Sequence, residues 1–402
     1  MKDRWIGTLL TLTLLATQVT FSIGQVGNTT YLKAKPRATI FIPLYLDSAF
    51  SEGKYMHGNS IPGHILNGLE FYNGVKLAAD ELETQGIPAR IRVVDTKDPN
   101  YLEALFKDTT YEGMGIVISA AQSAAEFRAI AEKLKPLGTP LISMLPNDAG
   151  VTNYPNLMIA NSTLKVHCQQ LFRFVQRNHA LDNLVMLTAR TGAEARLMQY
   201  LEEANEATPG TKLNYKNIAL GDESDETQLL AGLGHMLDSN RINVIVAPTL
   251  NTIQAQRIVR LLSTFSPSYA TVVFGMPTWE TVNFAKSEYR GVDVWYGSPF
   301  TTLPNNTVMN ETFINRYKDF TNGRPGDMAY RAYEVTLRYL KTFFTYGPQF
   351  MDHINDARFQ VFNEFDFQPV RTREAGPVDY RENQRIYFVK KTEGALKTVM
   401  TP

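Results

Sequence analysis

Apolar residues recur along this chain in two alternating rhythms. Thr39–Leu46 (TIFIPLYL) is a short β-rich run, and Phe71, Val75, Ala78 and Leu82 then recur at helical spacing, with Lys76, Asp80 and Glu83 on the other face. Ala89–Lys97 (ARIRVVDTK) is a second β run, cut from that helix by Gly86 and Pro88. An apolar strand, a one-faced helix and a further strand predict a βαβ unit in a parallel sheet. The rhythm continues through strands at Met114–Ala120, Pro140–Leu145 and Leu157–Asn161, with a helix over Ser123–Leu134 whose Ser123 and Glu126 form a capping box. It restarts with a helix over Thr163–Asn178. Strands follow at Asn183–Ala189, Lys212–Leu220, Ile242–Thr249, Ala270–Met276 and Val292–Ser298. Helices are expected over Asn310–Thr321 and Ala329–Thr345, and from Phe359 onward the chain reads as β.

Two runs of alternation predict two Rossmann-like, doubly wound α/β lobes. A single eight-fold barrel is the alternative; it fits poorly because strand spacing is uneven and the C-terminal part abandons the alternation. The long Asp47–Asn67 loop, rich in Gly, Ser, Asn and His, is a candidate functional segment.

Composition narrows the function classes. The 402 residues are 44% hydrophobic and carry 40 basic and 40 acidic side chains, so no broad field recruits nucleic acid or an anionic membrane. Lys2 and Arg4, an apolar Ile6–Ala16 and the small residues before Gln25 predict a signal peptide over 1–24. The single cysteine, Cys168, sits in a predicted helix far from that cleavage point, which argues against both a disulfide framework and a lipid anchor.

Catalytic motifs are not found. There is no G-x-S-x-G elbow and no Walker loop, and Gly113-Met114-Gly115 precedes a strand where a dinucleotide turn must follow one. The histidines (His57, His64, His167, His179, His235, His353) lack metal-ligand spacing. No nucleophile–base pair, metal set or cofactor motif can be named, so a non-enzymatic role is expected. Candidate chemistry therefore lies where strands end and helices begin, because open parallel sheets bind ligands there and helix starts offer free N–H groups. Four places qualify: Gln122-Ser123, Asn147-Asp148, Arg190-Thr191 and the loop ending at Asn251. Ser123 and Asn251 also suit capping of their own helices, and Asp148 and Arg190 also suit solvated loop charges. Trp279 and Tyr296 are candidates for an apolar wall.

Four stretches in this order, LEFYNGVKLAADEL (Leu69–Leu82), PLISMLPNDAG (Pro140–Gly150), VVFGMPTWE (Val272–Glu280) and MAYRAYEVTLRYL (Met328–Leu340), resemble type I periplasmic binding proteins of the leucine/branched-chain amino-acid substrate-binding type, in a Bacteroidetes-like branch. The resemblance runs from about Arg37 to Val399. It implies two lobes joined by three crossovers, near Asn161, Val294–Ser298 and Glu364. The expected lobes are residues 37–160 plus 299–355 and residues 161–298 plus 356–402. It also implies a ligand carboxylate held by Gln122, Ser123, Asn147 and Asp148. An aromatic usual in that family is replaced by Arg190-Thr191, and an acidic residue that holds the ligand ammonium is replaced around Thr278, with Glu280 or Asp148 as substitutes. The implied function is an extracytoplasmic solute receptor, its partners a small ligand and an ABC permease. The alternative is an envelope interaction protein that uses the fold without a small ligand.

Overall fold

The computed structural model describes residues 37–108, 114–188, 192–219, 226–301, 307–392 and 395–400. The expected signal peptide lies outside them. Strand β1 (Arg37–Ile42) is almost wholly buried and leads into a one-turn helix, α1 (Leu46–Ala49), and a small hairpin, β2 (Phe50–Ser51) with β3 (Lys54–Tyr55). Helix α2 (Gly63–Thr84) begins well before the expected Phe71 and returns the chain to β4 (Arg90–Asp95). Next come α3 (Tyr101–Lys107), β5 (Ile116–Ser119), α4 (Ala124–Leu134), β6 (Leu141–Ser143) and β7 (Leu157–Ile159). The chain then builds a second layered unit from α5 (Leu164–His179), β8 (Asn183–Thr188), α6 (Gly192–Ala207), β9 (Lys216–Ala219), α7 (Glu226–Met236), β10 (Asn243–Val246), α8 (Thr252–Phe265), β11 (Thr271–Phe274) and β12 (Val292–Ser298). It returns through α9 (Thr307–Thr321) and α10 (Asp327–Tyr346) to β13 (Phe367–Val370) and β14 (Tyr380–Asn383), then ends on β15 (Tyr387–Thr392) and β16 (Ala395–Met400).

The strands form two open seven-stranded sheets, ordered β13-β14-β7-β6-β5-β1-β4 and β16-β15-β12-β11-β10-β8-β9. Each contains the same parallel core, in which the first strand of the lobe sits between its second and third. This is the two-lobe doubly wound architecture, and it excludes the barrel. Helix α2 lies close along α10: a Cβ on Gly74 would stand 2.3 Å from the Ala329 carbonyl oxygen. Phe71, Val75, Ala78 and Leu82, the stripe legible in the sequence, pack with Ala329, Ala332 and Val335 in one core.

The C-terminal boundary differs from expectation. The sequence pattern puts residues 356–383 in the second lobe, but β13 and β14 extend the first sheet, and Val361, Phe362, Phe365 and Phe367 lie in the first lobe's core. The stretch from Phe359 is mostly irregular before β13. The buried Glu334 carboxylate, not a strand ladder, holds it by accepting from the Phe362 and Asn363 backbone N–H groups. The third crossing therefore falls between β14 and β15, at 384–386 rather than near Glu364; the other two follow β7 and β12.

These crossings orient the lobes. The chain leaves the first sheet from the C-terminal ends of β7 and β14 and leaves the second from the C-terminal end of β12. The Ser162 hydroxyl donates to the Asn383 carbonyl, and the Thr163 N–H donates to Glu382, which ties two crossings together. The C-terminal strand edges of both lobes thus meet at the hinge.

Candidate functional site

In a sheet of this order the crevice opens where connections diverge to opposite sides, between β1 and β5 in the first lobe and between β8 and β10 in the second. The first of these crevices is built around Tyr45 and Asp95. The Asp95 carboxylate, at the end of β4, accepts from the backbone N–H groups of Leu44 at 2.8 Å, Tyr45 at 3.3 Å, Leu46 at 2.9 Å and Lys97 at 3.0 Å. That clamp holds Tyr45 in the left-handed region, φ 56°, which costs a non-glycine residue about 1–3 kcal/mol and is frequent at functional sites. The Tyr45 hydroxyl donates to the Gln122 side-chain oxygen at 2.7 Å, and the ring has His64 edge-on at 4.9 Å and the Lys97 ammonium 5.2 Å from its centre. Neither Tyr45 nor Asp95 stood out in the sequence. A left-handed tyrosine leaves no local signal, and one aspartate ending a strand is common.

The predicted residues divide. Gln122 is exposed and accepts from the Tyr45 hydroxyl beside the crevice. Ser123 caps α4, accepting from the Glu126 N–H at 3.2 Å, and Glu126 in turn accepts from the Gln122 N–H at 2.8 Å. The Ser123 half of the capping box is present, while Glu126 reaches the N–H of Gln122 rather than that of Ser123 and sets its own carboxylate at the helix entrance proposed for a ligand carboxylate. Asn147 is buried and clamps its own loop through paired bonds to the Val151 N–H and carbonyl, 2.9 Å each. Asp148 is exposed and borders a hollow on the outer side of α4 with Ala124, Arg128 and Glu132. Asn251 caps α8, accepting from the Ile253 and Gln254 N–H groups at 2.9 and 3.2 Å. The Thr278 hydroxyl donates to the Leu250 carbonyl at 2.9 Å. Arg190 and Thr191 lie outside the described residues.

Trp279 and Tyr296 do not form an apolar wall. Trp279 is 0% exposed; its indole N–H donates to the Thr249 carbonyl at 2.9 Å, and its ring packs so close to Gly275 that a Cβ there would stand 2.0 Å from it. Tyr296 is also in the second lobe's core, and burial, aided by Glu280 and Asp327, pushes its hydroxyl above its ordinary range. Large rings beside a Gly-containing turn satisfy a core as readily as a cleft, and sequence alone does not separate the two.

Glu280 gains weight instead. It lies on the 3-10 turn Pro277–Thr281 of the second lobe, and Lys391 of β15 fixes that turn by donating to the Glu280 carbonyl at 2.7 Å and the Val282 carbonyl at 2.9 Å. Its side chain reaches a cavity of about 10 Å³, room for one water, bordered from the first lobe by Phe300, Thr301, Asp327, Tyr330, Arg331 and Asn363. Among the described residues the Glu280 carboxylate makes no hydrogen bond or ion pair. Burial raises its pKa, and Asp327 adds to this, while Arg331 and Lys391 oppose it. The Arg331 guanidinium stacks 4.8 Å from the Phe300 ring centre and leaves its buried Nε without a partner. Opposite charges from the two lobes thus border one small cavity without pairing. Among the described residues no group of His, Cys, Asp and Glu could hold a metal ion, and no helix is long and apolar enough to cross a membrane.

No protein-family model matches the chain, and no curated protein matches it by sequence. Solved structures do match its fold. A branched-chain amino acid ABC transporter periplasmic ligand-binding protein from Burkholderia xenovorans superposes with a TM-score of 0.60 at 14% identity, over 91% of this chain and 96% of that one. An ABC transporter substrate-binding protein from Desulfitobacterium hafniense, in complex with Leu, gives 0.57 at 11% identity, over 91% and 100%. A leucine-binding protein from Thermotoga maritima gives 0.53 at 12% identity, over 91% and 99%. At such identities the likeness concerns the fold: this chain has the two-lobed fold of type I periplasmic binding proteins.

Proposed function

We propose that the protein is an extracytoplasmic receptor that closes its two lobes on a small polar solute, for ABC-type uptake or sensing, and makes or breaks no bond. The observation that carries this reading is the opposition of the two strand edges at the hinge, which sets one crevice of each lobe toward the other. Binding energy in such a molecule is differential: a solute that touches both edges stabilises the closed state over the open one. Glu280 and Arg331 supply charges of both signs where the lobes meet, around a space that holds one water as the lobes stand; parted lobes would let these charges meet a solute with an ammonium and a carboxylate, such as an amino acid. Tyr45 and Gln122 supply neutral polar groups at the first lobe's crevice. The likeness to a protein bound to Leu supports a solute of that class. Residues 1–24 act in this reading as the export signal, and a permease is the downstream partner.

The second reading, an envelope protein that uses the fold to hold another protein, is favoured by one observation. Ser123 already takes the Glu126 N–H and the Glu126 carboxylate takes the Gln122 N–H, so the entrance of α4 offers a ligand carboxylate fewer free N–H groups.

A thermal-shift screen with amino acids, dicarboxylates, sugars and short peptides separates the readings. A solute at about 100 times its dissociation constant adds about 2.7 kcal/mol of stability and raises Tm visibly. If no class moves the Tm of the folded protein, the receptor reading falls and the second one stands.

A further inference from the structure

We infer that the segment between β1 and α2, residues 43–62, is a lid whose apolar face packs on the first turn of α8 when the lobes close. The inference rests on the lobe closure proposed above. It starts from where exposed apolar side chains gather. Leu46 is 48% exposed, Phe50 47%, Met56 58% and Ile61 47%, all within one short segment at the C-terminal edge of the first sheet. On the second lobe's facing edge, Ile253 is 66% exposed in the first turn of α8, directly after the Asn251 cap. Four half-exposed apolar side chains within one segment are denser than the scattered single ones of an ordinary surface, the kind of grouping that a partner surface covers.

The segment is ordered by its own bonds. The Met56 N–H donates to the Ala49 carbonyl at 2.9 Å, the Tyr55 hydroxyl to the Ser60 carbonyl at 2.7 Å, and His57 Nε2 lies 2.9 Å from the Ser48 carbonyl oxygen. The Phe50 and Tyr55 rings touch across the hairpin at 5.6 Å. At its root the Asp95 clamp fixes Tyr45 and thereby the direction in which the segment leaves the sheet. A scaffold that spends these bonds on keeping apolar side chains outward is preorganised to receive a partner surface. The opposite edge of the same chain supplies one, because both edges are C-terminal strand edges brought to one hinge. Closing would bury the lid residues and Ile253 together and would roof the crevice that Tyr45 and Gln122 border.

Disulfide trapping in the full chain tests this without any solute. Two double variants, Phe50→Cys with Ile253→Cys and Met56→Cys with Ile253→Cys, are oxidised at low protein concentration, and the link is read by non-reducing mobility and peptide mass. The native Cys168 is fully buried, and its burial pushes the thiol up to about 12, so it stays silent. A control pair, Leu137→Cys with Ile253→Cys, places an exposed thiol at the far end of α4. At least one test pair is expected to form an intrachain disulfide about tenfold or more faster than the control, because oxidation accumulates even a closed state populated at only a few per cent. Equal rates in test and control pairs, with all introduced thiols open to maleimide, overturn the lid. A link that joins two chains also overturns it and assigns the apolar face to self-association. A silent solute screen leaves this result standing, and a failed cross-link leaves the solute screen standing.

Discussion

The Tyr45 hydroxyl reaches the Gln122 side-chain oxygen at 2.7 Å and joins the exits of β1 and β5 where the strand order of the first lobe reverses. The bond is solvent-exposed, so its worth to the fold is small, about 1 kcal/mol or less. Tyr45→Phe should therefore leave the urea midpoint nearly unchanged while it weakens binding of any solute found in the thermal-shift screen. Equal affinity in the two proteins would remove Tyr45 from the site.

Asp95 carries more. It accepts four backbone N–H groups at the root of the β1–α2 segment. Asp95→Ala removes a charged acceptor from all of them and should cost about 1.5–3 kcal/mol in urea unfolding. Amide hydrogen exchange should rise first at Leu44, Tyr45 and Leu46.

Glu280 contributes no paired interaction among the described residues, and burial makes its charge costly. Glu280→Gln should leave stability unchanged or slightly raised. If the bound solute carries an ammonium, the same change should weaken binding by about tenfold or more, since a charge-assisted hydrogen bond is worth roughly twice a neutral one. Isothermal calorimetry of both proteins with that solute checks it.

Glu334 predicts a pH dependence. Burial lifts its carboxyl from an ordinary 4.5 to about 7, against the N–H donors of Asn363 and Phe362 and the charge of Arg338. A carboxyl whose pKa is higher in the folded state keeps its proton there longer than the unfolded chain does. Its contribution therefore favours folding most below the ordinary value and fades as pH rises toward 7. Between pH 5 and 7.5 that contribution should fall by on the order of 2 kcal/mol. Denaturant titrations across this range should show the slope in the native protein and lose it in Glu334→Gln.

Trp279 is a packing residue. Its indole is fully buried against Gly275 and bonded to the Thr249 carbonyl. Trp279→Ala should cost about 3–5 kcal/mol, as large-to-small core changes do. A loss below about 1 kcal/mol in chemical unfolding would mean that the ring faces a space it can vacate.

Much of this architecture is written in local pattern. Strand and helix periodicity through Val292–Ser298, the α2 stripe from Phe71 to Leu82 and the Ser123 cap of α4 depend on residues a few positions apart, and each is present in the fold. Polar residues at strand ends could be named for the same reason, because a βα turn is a local event. What those side chains do is another matter. Whether Ser123 and Asn251 cap a helix or meet a solute, and whether Trp279 lines a cleft or fills a core, depends on surfaces brought from far along the chain. Sheet order is the clearest case. Residues 367–383 read as generic β, and only their pairing with Met158 and Ile159 assigns them to the first lobe and moves the third crossing past Asn383. Tyr45, Asp95 and Glu280 became prominent the same way: a left-handed backbone, a four-donor clamp and an unpaired charge between lobes arise from tertiary neighbours, and periodicity along the chain carries no record of them.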